Sequence, residues 1–292
     1  MARLPFTDAH VHFFDAREPQ LHYAWAMPDW PPDPILGDHS AIKAQRLWAD
    51  DFVAQTRFHN VERVIHAECA QGIEDPVEET RWLQAFADRL GVPHGIVAQA
   101  RLAAPDARET LERHAAFANL RGIRDPDNEA YLTDAWRTGY ALLEHFGLVC
   151  CHSTYVENMK AARSLAEEFP AITYCVDHAG FPLARDSDYF RAWSEGMRTI
   201  AAAPNAVVKI SGLGMVDHAW TVESIRPWVL TCIEAFGPER SFFATNWPVD
   251  ALFSTYGDIV DAYAEIISGF SEDEQRALFA GNANRIFRLD QP

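Results

Sequence analysis

The chain has no apolar run approaching the length of a membrane span. Its opening MARLPFTDAHVHFFD reaches the polar Thr7-Asp8 before an apolar core of signal-peptide length can form. Positive charge is scarce: 25 Lys plus Arg stand against 42 Asp plus Glu, a formal net charge of -17. So negative a surface repels phosphate backbones and anionic lipid, which sets nucleic acid and membrane aside as partners. An anionic small molecule stays admissible, because a few arginines in one pocket dominate locally. The five cysteines (Cys69, Cys150, Cys151, Cys175, Cys232) are odd in number and include no C-x-x-C pair. They read as reduced, mostly buried thiols of a cytoplasmic protein. Cys150 and Cys151 point to opposite faces of a strand, which argues against a shared metal or redox role. No G-x-G-x-x-G follows an early strand, which lowers the dinucleotide-binding alternative. Nothing suggests disorder: 48% of residues are hydrophobic.

What is present is alternation. Apolar or β-branched runs at 6–13, 61–69, 92–99, 119–124, 148–152, 172–178, 206–211 and 241–246 read as eight strands. Amphipathic segments at 76–90, 106–117, 133–146, 158–169, 189–203 and 224–236 read as helices closed by Gly or Pro. Strands separated by helical crossovers favour a parallel sheet, and eight such units in 292 residues favour an α/β (β/α)8 TIM barrel, one domain over 1–292. The strand ends carry His12, Glu68, Gln99, Arg124, His152, His178, Ser211 and Asn246. All intervals but the first fit one β/α unit. That first interval holds the Pro- and Trp-rich stretch 21–32, read as an ordered loop rather than a helix, and a loop around 15–40 is placed over the barrel mouth.

His10 and His12 are two residues apart on a strand and so share a face, which is half of a tetrahedral metal site. Alone, such a pair is a weak signal. His178 ends strand six in Val176-Asp177-His178-Ala179-Gly180, and Asn246 ends strand eight in Ala244-Thr245-Asn246-Trp247-Pro248. Strands one and eight are neighbours in a barrel and strand six lies across a narrow interior, so these termini converge at the C-terminal mouth.

With those residues in view, the chain resembles the amidohydrolase superfamily, and within it the amidohydrolase-2 branch of TIM-barrel lactonases. The likeness runs through DAHVHFFD, VIHAECA, PHGIVAQA, LRGIRD, VDHAGFP, VVKISGLGM, IEAFGPERSFFATNWPVD and GNANRIFRL. It implies a hydrolase that opens sugar lactones or lactones of aromatic catabolism, with His10, His12 and His178 lining the site and Asn246 facing the scissile carbonyl. Relatives that are decarboxylases or isomerases supply the rival readings, and a non-catalytic ligand-binding relative is the third. Most superfamily members carry Asp where this chain has Asn246. An amide cannot accept a proton at neutral pH, so the base is expected to be a histidine or Asp250. Losing that carboxylate leaves a divalent metal, zinc foremost, on His10, His12 and His178 allowed rather than required.

Around this set, Arg124 is expected to grip a substrate oxygen or carboxylate in preference to an ion pair with Asp125 or Asp127. Glu68, taken to share a face with His66, is expected to pair with Arg124 or a histidine, or to touch a hydroxyl. Lys209 reads as a buried ion-pair partner. Tyr23, Trp25 and Trp247 are expected to wall a ring substrate and Trp30 to be packing. His152 is weighed between the site and a place behind the barrel, since one residue of register decides it. The seven other histidines, His39 among them, are left as structural. The expected partner is a small molecule, and a homo-oligomer stays open.

Overall fold

The computed structural model describes residues 4–43, 46–127 and 130–290. Eight parallel strands form one sheet: β1 (Phe6–Val11), β2 (Val61–Ala67), β3 (Gly95–Gln99), β4 (Leu120–Arg124), β5 (Val149–His152), β6 (Tyr174–Val176), β7 (Ala206–Ile210) and β8 (Ser241–Phe243). Their spatial order is their chain order. The seam closes where Val11 bridges Trp247 and the His12 amide donates to the Trp247 carbonyl (2.7 Å). The fold is the expected barrel.

Helices α1 (Ala49–Thr56), α2 (Val77–Leu90), α3 (Ala107–Ala115), α4 (Asp134–Phe146), α5 (Met159–Glu168), α6 (Ser187–Ala201), α7 (Val222–Phe236) and α8 (Tyr256–Ile266) follow the strands in turn. Their ends obey local chemistry. Thr133 caps α4 by accepting from the Trp136 amide, and Gly147 closes it in the left-handed conformation. α1 sits inside the long first interval, beyond the Pro- and Trp-rich stretch, which makes one short 3-10 helix at Ala24–Ala26 and a turn closed by the Trp30 amide on the Met27 carbonyl.

Two cores result. A small inner one joins Ala9, Ile65, Val97, Val149, Cys151, Cys175, Val207, Phe242 and Ala244, plugged at the N-terminal end by Ala283, Ile286, Phe287 and Leu289. A large outer one lies between strands and helices. Membership of the inner core fixes the phase of each strand and so decides which terminal side chains reach the mouth. All five cysteines are buried free thiols. Among the described residues no helix is long and apolar enough to cross a membrane.

Candidate functional site

The two histidines of β1 reach the interior through an irregularity. Asp8 pairs with Val64 and Val11 with His66, so three steps on β1 oppose two on β2. This bulge shifts the phase, and His10 faces inward although Ala9 before it also belongs to the inner core. His10 Nε2 lies 3.1 Å from His12 Nε2. The ring of His12 is fixed at its other nitrogen: Nδ1 sits 3.0 Å from the Ala67 carbonyl, which can only accept, so Nδ1 carries the hydrogen and Nε2 a lone pair. Burial first, then the Arg124 guanidinium, lowers the His12 pKa to about 3. Burial first, then the Lys209 ammonium, holds His10 far below its ordinary value. Both rings are therefore neutral.

His178 stands beyond the end of β6, where the chain leaves the strand in left-handed conformations at His178 (φ 51°), Ala179 (53°), Gly180 (69°) and Phe181 (46°). Three non-glycine residues in that region are costly, and such strain collects at functional sites. The turn breaks strict alternation, so Asp177 and His178 both serve the interior. His178 Nδ1 lies 2.9 Å from Ser211 Oγ at the end of β7, and its ring centroid is 4.5 Å from that of His10. Gly212 is required beside it: a Cβ there would come within 2.7 Å of His178 Nδ1.

Asn246 is also left-handed (φ 58°), which Asn tolerates better than most side chains. Its amide nitrogen donates to Asp250 Oδ2 (2.7 Å), so Oδ1 is the atom turned to His12 Nε2, 3.3 Å away. Two lone pairs face each other across that distance. Asp250 itself is buried, is not part of the cavity wall, and has its carboxyl pushed up to about 7 by burial. Behind them Asp8 accepts from the Thr245 amide (3.0 Å), the Thr245 hydroxyl (2.5 Å) and the Tyr256 hydroxyl (3.0 Å), tying β1 to the β8 turn.

Opposite stands a charge network. Arg124 pairs with Glu68 (3.3 Å) and Asp177 (3.3 Å) and donates to Ser153 Oγ (3.0 Å). Lys209 pairs with Asp177 (2.9 Å), the expected buried partner role, and its Nζ lies 3.4 Å from His10 Nδ1. Burial alone would raise Asp177, but Lys209 and then Arg124 outweigh it and bring it to about 2. Glu68 is pushed up to about 8, burial exceeding the opposing pull of Arg124. Among the described residues the ion pairs of Arg124 are with Glu68 and Asp177, not with its chain neighbours Asp125 and Asp127. His66 does not share the face of Glu68. It packs against Phe13 outside the barrel, its Nε2 3.5 Å from Glu79, because β2 ends at Ala67 and alternation ends with it.

A cavity of about 170 Å³ gathers His12, His178, Asn246, Arg124 and Glu68, with Trp25, Trp30, Asp33, Leu36, His39 and Ile42 from the loop after β1 as its roof. Trp25 is held there by its indole N–H on the Cys69 carbonyl (2.8 Å). Of the predicted residues, His10 and Asp250 do not border this cavity, and three more lie elsewhere. Tyr23 is fully buried one layer behind, edge-on to Phe14 and Trp25. Trp247 turns its indole N–H to Gln55 of α1 (2.9 Å). His152 faces outward because Cys151 before it takes the inner face, and it stacks on Tyr131 at 4.0 Å between centroids. Trp30 and His39, read as packing and structural, line the cavity, as do Phe181 and Met215. The left-handed turn that brings Phe181 there starts at His178 and runs through the Ala179-Gly180 pair, which is the local signal for it.

Two other groups hold three potential ligand atoms close together: His66, Cys69 and Glu79, and Cys151, Cys175 and Asp177. Neither is free for an ion. His66 Nδ1 accepts from the Phe13 amide, so in its neutral form Nε2 carries the hydrogen, and Asp177 is committed to Lys209 and Arg124.

The profile of the amidohydrolase family matches residues 7–289. An uncharacterised protein of Sinorhizobium fredii is 37% identical, over 99% of this chain and 100% of that one. The L-fucono-1,5-lactonase of Burkholderia ambifaria is 26% identical, over 98% and 96%. Among solved structures, an amidohydrolase from Burkholderia multivorans with bound zinc superposes with a TM-score of 0.82 at 23% identity, covering 97% of this chain and 99% of that one.

Proposed function

Because this chain belongs to the amidohydrolase family, we propose that it opens a neutral, hydroxylated lactone by attack of water on the ring carbonyl. The observation that carries the reading is the facing pair of lone pairs, His12 Nε2 and Asn246 Oδ1, 3.3 Å apart at the floor of the cavity. Lys209 donates to His10 Nδ1, so the His10 Nε2–H rests on His12 Nε2; a water that exchanges for this contact gives one hydrogen to His12 Nε2 and the other to Asn246 Oδ1 and turns its oxygen outward. His12 then takes one proton at Nε2, its hydrogen bond to the Ala67 carbonyl keeping the tautomer correct. His178 offers its second ring nitrogen to the carbonyl oxygen, and a neutral imidazole does this without charging the site. The proton on His12 goes on to the ring oxygen as the acyl–oxygen bond breaks.

The charge balance supports a neutral substrate. Arg124 and Lys209 face Asp177 and Glu68, and Asp33 adds a further carboxylate to the wall. Even with Glu68 protonated the set carries no surplus positive charge, so a dicarboxylate finds nothing to neutralise it. The relatedness to fuconolactonases points the same way.

The donor set also fits a divalent ion. The spacings of 3.1 and 3.3 Å are close to the roughly 3.3 Å edge of a tetrahedron with 2.0–2.1 Å bonds. His12 and Asn246 would hold the ion, with His178 beside them, and His10 Nε2 would join only as the tautomer that sets its Nδ1 hydrogen against the Lys209 ammonium; the ion would supply Lewis acidity toward the carbonyl. The test is product analysis in ¹⁸O-labelled water with aldono-1,5-lactones. The expected product is the hydroxy acid with one ¹⁸O in its carboxylate, formed faster than in buffer. Release of carbon dioxide, or a product of unchanged mass, would replace hydrolysis by decarboxylation or isomerisation.

A further inference from the structure

The roof over the cavity is fastened unequally along its length. Its first part is tied twice to the loop after β2: the Ala24 amide donates to the Gln71 carbonyl (2.9 Å) and the Trp25 indole N–H to the Cys69 carbonyl (2.8 Å). Its far part is a short hairpin, 33–37, closed by reciprocal backbone hydrogen bonds between Asp33 and Gly37 (3.1 and 2.8 Å). Asp33 Oδ1 also accepts from the Ile35 amide (2.7 Å) and the Leu36 amide (2.9 Å), which braces the hairpin from within. Among the described residues, one hydrogen bond joins 33–37 to a residue outside the roof loop: that of His218 Nε2 on the Ile35 carbonyl, 3.1 Å.

His218, read from the sequence as structural, stands in the loop after β7. The same Nε2 lies 3.0 Å from the Met215 carbonyl. Both carbonyls can only accept, so Nε2 carries the hydrogen and shares it between them. That single N–H links a residue of the roof to a residue of the barrel rim. The imidazole is supported by Phe253, stacked at 4.4 Å between centroids and 13° between planes. Its Cε1 lies against Gly37, 3.7 Å from where a Cβ would stand. Phe253 in turn donates its amide to the Asp250 carbonyl (3.0 Å). The hairpin thus rests, through one ring, on the turn that also holds Asn246.

Two residues of the hairpin make its seat matter. Asp33 and Leu36 border the reaction cavity and also a chamber of about 260 Å³ beside it, as do Met215 and Phe181. Asp33 Oδ2 has no hydrogen-bond partner among the described residues, so a carboxylate pinned by its other oxygen keeps one acceptor for a hydroxyl. We infer that His218 is a positioning residue for substrate binding. Its N–H seats the hairpin 33–37, and the seated hairpin holds Asp33 and Leu36 against a neutral hydroxylated ring. The kinetic consequence rests on the hydrolase reading; the binding consequence does not.

The test uses two variants. His218→Phe keeps a ring on Phe253 and removes the N–H, and His218→Gln carries an amide nitrogen that donates from about the same reach. His218 is exposed, so both variants fold, which an unliganded Tm close to that of wild type verifies. With an aldono-1,5-lactone, His218→Phe is expected to raise KM about 3- to 10-fold, the worth of one hydrogen bond, with kcat within about twofold of wild type. His218→Gln is expected to recover most of that KM. An unchanged KM in His218→Phe, a fall in kcat as large as the rise in KM, or a Gln variant no better than the Phe variant overturns the assignment. Thermal shift with 1,5-anhydroglucitol, a neutral hydroxylated ring with no carbonyl to attack, separates this from failure of the hydrolase reading. If no lactone is opened but this compound raises the Tm of wild type and of His218→Gln more than that of His218→Phe, the seat stands and hydrolysis falls. If no lactone is opened and the Tm rises equally in all three, or in none, both fall.

Discussion

His152 and His178 end neighbouring strands, and the structure gives them opposite fates. His152 is the last residue of β5 and obeys alternation: Cys151 faces the inner core, so the imidazole faces out and stacks on Tyr131 with neither ring nitrogen hydrogen-bonded. His178 lies two residues beyond β6, in a left-handed turn, and that turn carries it into the mouth against Ser211. The difference teaches that residue type and strand position do not place a side chain at a barrel rim. The backbone conformation in the one or two residues after the last ladder hydrogen bond does.

The sharpest way to break this comparison is to remove both imidazoles in turn. His178→Ala is expected to lower kcat/KM for a lactone by about 10³-fold, within the span of one acid–base or carbonyl-polarising group, with little change in Tm. Equal losses from the outward histidine would dissolve the distinction. Next in size is the support of Asn246. Asp250→Asn frees the amide to turn its nitrogen toward His12, and kcat is expected to fall about 10- to 100-fold with KM nearly constant. Asp250→Glu should restore part of it. A purely structural role would appear instead as a lower Tm without that split.

A smaller effect lies in stability against pH. Glu68 titrates near 8 in the fold, above its usual carboxylate value of 4.5, so the folded chain holds an extra proton between those values. That contribution to stability is complete below about 4.5, declines as pH rises toward 8 and is lost above it. Glu68→Gln should therefore flatten the fall of Tm between pH 6 and 8, read by differential scanning fluorimetry. An unchanged slope would mean that the carboxyl is ionised throughout. The smallest effect belongs to the outward histidine. His152→Phe keeps the stack on Tyr131 and removes two unsatisfied nitrogens, with an expected gain of about 1 kcal/mol in denaturant unfolding and activity within about twofold of wild type.

The barrel was legible because most strands run out at a polar residue and the helices between them show an apolar stripe. β6 and β8 are shorter than their apolar patterns suggest, ending at Val176 and Phe243. The residues after them, Asp177-His178 and Ala244-Thr245-Asn246, look strand-like in composition yet leave the ladder through turns that only tertiary contacts stabilise. His12, His178, Asn246, Arg124 and Glu68 were readable as strand termini of the right chemistry. The pairing of Asp177 with both Lys209 and Arg124 was not, because ion pairs across a barrel join residues from three strands with no local spacing between them. Tyr23 and Trp30 exchanged roles for a similar reason. In an irregular loop no period assigns a face, so burial of one aromatic and exposure of the other follow from packing alone.

The most direct measurement is the initial rate of ring opening of a neutral aldono-1,5-lactone, followed with a pH indicator for wild type and His178→Ala side by side. The account predicts a wild-type rate well above that of buffer and a variant rate close to buffer. Wild type no faster than buffer, or two proteins of equal rate, would contradict it.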